Sequence, residues 1–167
     1  LEALKKLVVQ NIKSQYLTTK EGRPIDAIKD TIENNDIIFC KSHTGSGKTT
    51  LIQYLTFCDP ALSIVSRRSL ANFHYQQLNC IKRHYLEEGD KDYTIDKVYQ
   101  LDSLWEKRTY DGKVWNFNLS HIEEHKGDYY LILDEFNSLI NHIFSQGNLE
   151  KRKIEIVANL FKVIKNA

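Results

Sequence analysis

Apolar positions along the chain follow two rhythms, one of three to four residues and one of short continuous runs. Leu1, Leu4, Leu7, Val8 and Ile12 share one helical face, with Lys5, Lys6 and Lys13 off it, which predicts an amphipathic packing helix over residues 1–13. Thr18 to Pro24 reads as a loop, with Gly22 and Pro24 as breakers. A second helix starts at Arg23-Pro24-Ile25-Asp26 and runs toward Glu33, where Asn34-Asn35-Asp36 ends it. Asp36-Ile37-Ile38-Phe39 is the first predicted core strand, and a helix from about Lys48 to Phe57 follows, stopped by Pro60. Ala61 to Ser66 is the second strand, and Ser69 to Arg83 a helix with Leu70, Phe73, Leu78 and Ile81 at helical spacing.

Glu87 to Asp92 is a charged surface loop, Lys97 to Leu101 a third strand, and Asp102 to Trp105 a short helix. Asp111-Gly112 suits a two-residue turn between Lys107–Tyr110 and Lys113–Trp115, which predicts a small hairpin. Ser120 with Glu123 matches a capping box for a helix that ends before Gly127. Tyr129 to Leu133 is the strongest strand pattern, a continuous apolar run suited to a parallel strand buried on both faces. A helix from Asn137 to about Phe144 and a last helix with Ile154, Val157, Leu160, Phe161 and Ile164 turned inward complete the chain. Strands alternating with helices predict an α/β fold, a parallel sheet flanked by helices.

The 167 residues suffice for one domain with a sizeable core, read as 23–167, with 1–22 a helix and linker packed on it. With no methionine and a start at Leu1, the chain reads as a domain excised from a longer protein. Lys and Arg number 23 against 22 acids, a net charge of +1. That balance does not advertise nucleic-acid binding overall and leaves room for a local basic groove. No apolar run is long enough to span a bilayer and no secretory signal is present, so neither a membrane partner nor export is expected. Cys40, Cys58 and Cys80 are an odd set that suits neither a disulfide framework nor a zinc site. They read as small buried hydrophobes in a reducing, intracellular compartment.

The chemistry begins at Cys40-Lys41-Ser42-His43-Thr44-Gly45-Ser46-Gly47-Lys48-Thr49-Thr50. Strand, glycine-bearing loop, lysine, hydroxyl and helix come in the order of a P-loop. Backbone N–H groups of such a loop wrap a polyphosphate, and the helix N-terminus faces it with partial positive charge. Thr44, Gly45, Ser46, Gly47, Lys48, Thr49 and Thr50 are the candidate nucleotide-binding residues, with Lys48 supplying a full charge and Thr49 a hydroxyl for Mg²⁺. Ser42 stands where the strict motif has glycine.

Two acids, Asp134 and Glu135, end the strongest strand. Beside a P-loop strand, Asp134 would hold Mg²⁺ together with Thr49, and Glu135 would orient and deprotonate the attacking water. That pair points to hydrolysis. No guanine-reading Asn-Lys-x-Asp motif stands where it would be needed, so ATP is the expected nucleotide. Ser66-Arg67-Arg68-Ser69 follows the second strand, and Gln100 to Ser103 closes the third. Both lie at the carboxyl edge of a parallel sheet, where ligands of open α/β folds bind, and their groups suit a nucleic-acid backbone.

Thr44–Thr49, Val65–Leu70, Tyr99–Leu104 and Leu133–Phe136 resemble, in order, motifs I, Ia, Ib and II of the superfamily 2 helicases, over about residues 23 to 140. Ser-Arg-Arg-Ser and Gln-Leu-Asp-Ser-Leu look most like the replication origin-binding helicases of herpesviruses and large DNA viruses. The resemblance implies a RecA-like P-loop NTPase domain with three layers, ATP and Mg²⁺ as cofactors, and Lys48 and Glu135 as catalytic residues. It implies that Ser66, Arg67, Arg68, Gln100 and Ser103 contact single-stranded nucleic acid, with DNA favoured. It further implies a second RecA-like domain in the same polypeptide and a setting in the nucleus or a viral replication compartment. Asp26 stands where many such motors carry an adenine-reading glutamine. A P-loop nucleotide kinase would need an arginine-bearing lid and an acceptor pocket, for which no segment stands out. A nucleotide-dependent binding module without motor activity would have no use for Glu135.

Overall fold

Residues 10–57, 59–86, 94–105, 108–110, 113–115, 117–145 and 152–167 are described by the structure, a computed structural model. Contacts divide the chain into two units, Leu1–Leu55 and Thr56–Ala167. The first holds helices α1 (Asp26–Glu33) and α2 (Lys48–Leu55). Leu17, Ile28 and Leu51 form its core, with Ile12, Ile25, Ile32 and Leu55 packed against them. The predicted loop is present: Thr18 and Pro24 form an antiparallel bridge, and Gly22 turns the chain at φ 79°.

Two expectations fail in this unit. Residues 10–13 are not helical, and the rest of the predicted first helix lies outside the described residues. Residues 36–39 join no strand, and Ile37 and Phe39 are 72% and 71% exposed. A short apolar run becomes a strand only where a neighbouring strand takes its backbone hydrogen bonds, and this run pairs with none of the described strands. Cys40, at its end, is exposed rather than buried.

The second unit is an α/β layer built on four parallel strands in the order β2-β3-β1-β6. They are β1 (Ala61–Val65), β2 (Arg83–His84), β3 (Lys97–Gln100) and β6 (Tyr130–Leu133). Leu62 pairs with Lys97 on one side and Leu131 on the other, and Val65 with Gln100. All five residues of β1 are buried, as a continuous apolar run between two neighbours predicts. Helix α3 (Arg68–Gln77) packs on β1 and β3. It stops six residues short of the predicted end because Leu78 turns to extended geometry, with Leu78, Cys80 and Ile81 buried. Arg83-His84 is thereby released to pair with β3. Asp96, at φ 59°, anchors this turn through its carbonyl, which accepts from Lys82 N at 2.8 Å and Arg83 N at 3.0 Å. Buried Cys80 accepts from Thr56 Oγ1 at 3.1 Å, and burial pushes its thiol pKa up. Cys58 and the loop 87–92 lie outside the described residues.

A 3₁₀ turn (Leu101–Ser103) follows β3. Strands β4 (Arg108–Tyr110) and β5 (Lys113–Trp115) pair antiparallel with Tyr110 opposite Lys113, as the Asp-Gly pattern predicts. Helix α4 (Leu119–Glu124) is capped by Asn118, whose Oδ1 accepts from His121 N at 3.3 Å, so the cap is not Ser120. Strand β6 is less buried than predicted. Only Ile132 is fully covered, because β6 is an edge strand among the described residues. Helices α5 (Phe136–Phe144) and α6 (Lys153–Asn166) complete the unit. Among the described residues no helix is long and apolar enough to cross a membrane.

The face of α6 differs from expectation. Ile156, Asn159, Leu160 and Val163 are buried, whereas Ile154 and Phe161 are 88% and 65% exposed and Ile164 is exposed as well. Two stripes of this helix have helical spacing, and apolarity alone favours the wrong one. Asn159 decides between them, since its Nδ2 donates to the Leu104 carbonyl at 3.0 Å and satisfies a buried acceptor. Urea unfolding checks this register. Ile156→Ala is expected to cost about 2–5 kcal/mol, and Phe161→Ser less than about 0.5 kcal/mol. Comparable losses would return the face read from the sequence.

Candidate functional site

Ser42 to Thr50 is a loop that wraps its own lysine. Gly45 and Gly47 take φ 80° and 89°, a region L side chains avoid, and the chain enters α2 at Lys48. The Lys48 ammonium donates to the carbonyls of His43 at 2.8 Å and Ser42 at 3.1 Å, and to Ser42 Oγ at 3.3 Å. Ser42 is therefore used: its hydroxyl also meets buried Ser46 Oγ at 2.7 Å. Leu17 N donates to Ser46 O at 2.8 Å and ties the loop to the core of its unit. A Cβ on Gly47 would come within 2.6 Å of Thr18 Oγ1, whereas one on Gly45 would meet nothing within 4 Å. Thr44 is exposed, and Thr49 and Thr50 are half-buried in the first turn of α2. His43 is exposed. Asp26 opens α1 at the surface, where the hydrogen bond from Lys29 at 2.6 Å holds its carboxyl below the usual value.

The remaining candidates share the second unit. Parallel pairing brings the carboxyl ends of β3, β1 and β6 to one edge, which carries Gln100, Ser66-Arg67-Arg68 and Asp134-Glu135. Ser66 is buried, and among the described residues its Oγ has no hydrogen-bond partner. Arg67 is the N-cap residue of α3, and its own side chain makes no capping hydrogen bond. Arg68 is the exposed first residue of the helix. Two guanidinium groups at a helix N-terminus oppose the macrodipole, an arrangement an anion would relieve. Gln100 Oε1 accepts from Tyr85 OH at 2.9 Å, and Ser103 is half-buried in the 3₁₀ turn. Its neighbour Asp102 contacts His142 Nε2 at 2.6 Å.

The sequence predicts Arg67 and Glu135 as contacts for two different ligands. The structure joins them, with Arg67 Nη2 donating to Glu135 Oε2 at 2.8 Å. Both are partly exposed, so the pair is worth about 0–1 kcal/mol. They border a shallow groove with Ser69, Leu70 and Phe73. Glu135 itself sits at φ 48°, ψ 48°, a left-handed geometry that costs a non-glycine residue about 1–2 kcal/mol. Asp134 Oδ1 accepts from Glu135 N at 2.8 Å, and Glu135 O accepts from Ser138 N at 2.7 Å.

The sequence reading missed two residues here. His74, buried on the inner face of α3, contacts Asp134 Oδ2 through Nε2 at 3.1 Å and Ser63 Oγ through Nδ1 at 2.7 Å. A serine centred in the apolar run Ala61-Leu62-Ser63-Ile64-Val65 was the available clue, because a buried hydroxyl needs a partner.

Among the described residues no three His, Cys, Asp or Glu side chains cluster as a metal site. Thr49 in the first unit carries a hydroxyl and Asp134 in the second a carboxylate, each by itself a hard oxygen donor of the kind Mg²⁺ takes beside phosphate and water. Gly45 leaves the backbone open, with nothing within 4 Å of where a Cβ would stand, so the loop fits a polyphosphate.

Thermal melts separate the two glycines. Gly45→Ala adds the φ penalty alone, about 1–2 kcal/mol, whereas Gly47→Ala adds the clash with Thr18 and lowers Tm further. Adding Thr18→Ala to Gly47→Ala is expected to recover the difference, and equal melts for the two single variants would contradict it. Comparison of the chain with protein-family models, curated proteins and solved structures gives no match.

Proposed function

We propose that the chain is the ATP-binding motor domain of a nucleic-acid-dependent ATPase, a RecA-like P-loop domain of the superfamily 2 helicase type that acts on single-stranded DNA. The observation that carries this is the Ser42–Thr50 loop, with two left-handed glycines and the Lys48 ammonium hydrogen-bonded to loop carbonyls at the head of a helix. A lysine so placed exchanges carbonyl oxygens for phosphate oxygens without a change of fold. The parallel sheet supports the same conclusion, with Asp134 and Glu135 at a carboxyl edge beside a twin-arginine helix start.

Lys48 and the loop N–H groups would bind the β- and γ-phosphates, Thr49 would offer a hydroxyl to Mg²⁺, and Asp134 would offer it a carboxylate. When bound, the cation offsets the charge of the phosphate oxygens. Glu135 orients the attacking water and takes its proton. Ser66, Arg67, Arg68, Gln100 and Ser103 grip the phosphodiester backbone, which carries affinity without base information. The Arg67–Glu135 pair couples the two tasks. While it accepts from Arg67, that Glu135 oxygen faces the guanidinium and not an attacking water, and a backbone phosphate that draws Arg67 away frees it. A second RecA-like domain would add arginines worth roughly 10³–10⁵ in rate in comparable NTPases. The 167 residues alone are therefore expected to hydrolyse ATP slowly.

Equilibrium binding and single-turnover hydrolysis test the assignment. Lys48→Ala is expected to lose ATP binding. Glu135→Gln should bind ATP and lose the residual hydrolysis, and Arg67→Ala should raise the DNA-free rate while abolishing stimulation by single-stranded DNA. ATP binding that survives Lys48→Ala, or hydrolysis that survives Glu135→Gln, would overturn the assignment. Rapid motor-like turnover by this chain alone would contradict the need for a second domain.

A further inference from the structure

Asp134 is held from behind by two groups with no part in the chemistry above. His74 Nε2 lies 3.1 Å from its Oδ2, and His74 Nδ1 lies 2.7 Å from Ser63 Oγ. Ser63 and His74 are 0% and 1% exposed, while the Asp134 side chain is 29% exposed. Serine, histidine and aspartate in a row suggest a nucleophile, but burial rules that out. Ser63 lies in the middle of β1 with its hydroxyl sealed in the sheet–helix interface, where no substrate reaches it. The row runs outward, from a sealed hydroxyl to a partly open carboxylate.

The contacts suit one direction of donation. An ionised Asp134 only accepts, so His74 Nε2 carries the proton it shares. In neutral imidazole Nδ1 is then the acceptor, and Ser63 O–H donates to it. Glu135 N donates to the other carboxylate oxygen at 2.8 Å. Two donors from two directions set both the position and the rotation of the carboxylate. A carboxylate oxygen accepts more than one partner, so these contacts aim the group without using it up.

We propose that His74 is a positioning residue that aims the Asp134 carboxylate at a divalent cation, and that Ser63 fixes the tautomer in which it does so. This rests on the assignment of Asp134 to the Mg²⁺·ATP site. Groups placed behind a metal-binding side chain typically change metal affinity or activity by about 10–100-fold when removed.

Titrations of the full chain with fluorescent N-methylanthraniloyl-ATP, in Mg²⁺ and in EDTA, test it on wild type, His74→Leu and His74→Gln. Affinity in EDTA is expected to be the same for all three. The gain conferred by Mg²⁺ should fall about 10–100-fold in His74→Leu. His74→Gln should keep the gain, because its amide nitrogen reaches the same carboxylate. A His74→Leu protein with the full Mg²⁺-dependent gain overturns the positioning role and leaves the ATP-site assignment standing. A wild-type chain with no such gain overturns both. Imidazole ¹⁵N spectra of the wild type need no change at His74, and so decide the case in which His74→Leu does not fold. They should show a protonated Nε2 and a bare Nδ1, with Ser63→Ala shifting the Nδ1 resonance. A proton on Nδ1 overturns the relay.

Discussion

Hydrogen bonding on both edges of β1 is the constraint on which the larger unit depends. β3 pairs with one edge and β6 with the other, and every β1 residue is buried. A one-residue slip would turn Ser63 to the opposite face of the sheet and away from His74, which opposes sliding. The carboxyl ends of three strands are therefore held level, and the side chains after them meet at one edge whatever their distance in sequence. Enclosure also imposes a cost. Ser63 places a hydroxyl where no water reaches, and such a group is unfavourable unless bonded. His74 meets that need and in turn reaches Asp134, so the polar atoms of the core and of the edge belong to one network.

That edge brings opposite charges together with little energy at stake. Arg67 and Glu135 are open to water, and their pairing contributes about 1 kcal/mol or less. Glu135 sits in a left-handed conformation, braced through its own N–H and carbonyl. Strain of that kind persists where the surroundings over-determine a residue, and it collects at functional positions. A weak ion pair on a strained, well-braced backbone gives a side chain that changes partner easily while its Cα stays put.

Much of this was legible in the sequence. Elements with strong local signals formed where expected: the loop around Gly22, the antiparallel pairing of β4 with β5, the helix after Lys48, and the buried run at Ala61–Val65. The loop 42–50 and the acids 134 and 135 stand out as candidates because the proposed chemistry needs particular residue types at particular spacings. Failures came where local pattern is not enough. Residues 36–39 have strand composition but no described strand beside them. Helix α6 has two stripes of similar spacing, and a single hydrogen bond from Asn159 chooses between them. Ser63, His74 and Asp134 are far apart in the chain and adjacent only through pairing and packing, so no window of sequence contains them.

The strand order carries a consequence for how the unit forms. Leu62 pairs with Lys97 and with Leu131, so the central strand must wait for partners made much later in the chain. Loop-closure entropy is spent before those contacts repay it, and parallel sheets with distant pairings fold slowly for that reason. The β4–β5 hairpin and the helices form from neighbouring residues and need no such wait. During folding, Ala61–Val65 is an apolar strand with both edges open, the state most prone to pair with another chain. The interval before β6 arrives is thus the period in which the protein is most exposed to aggregation.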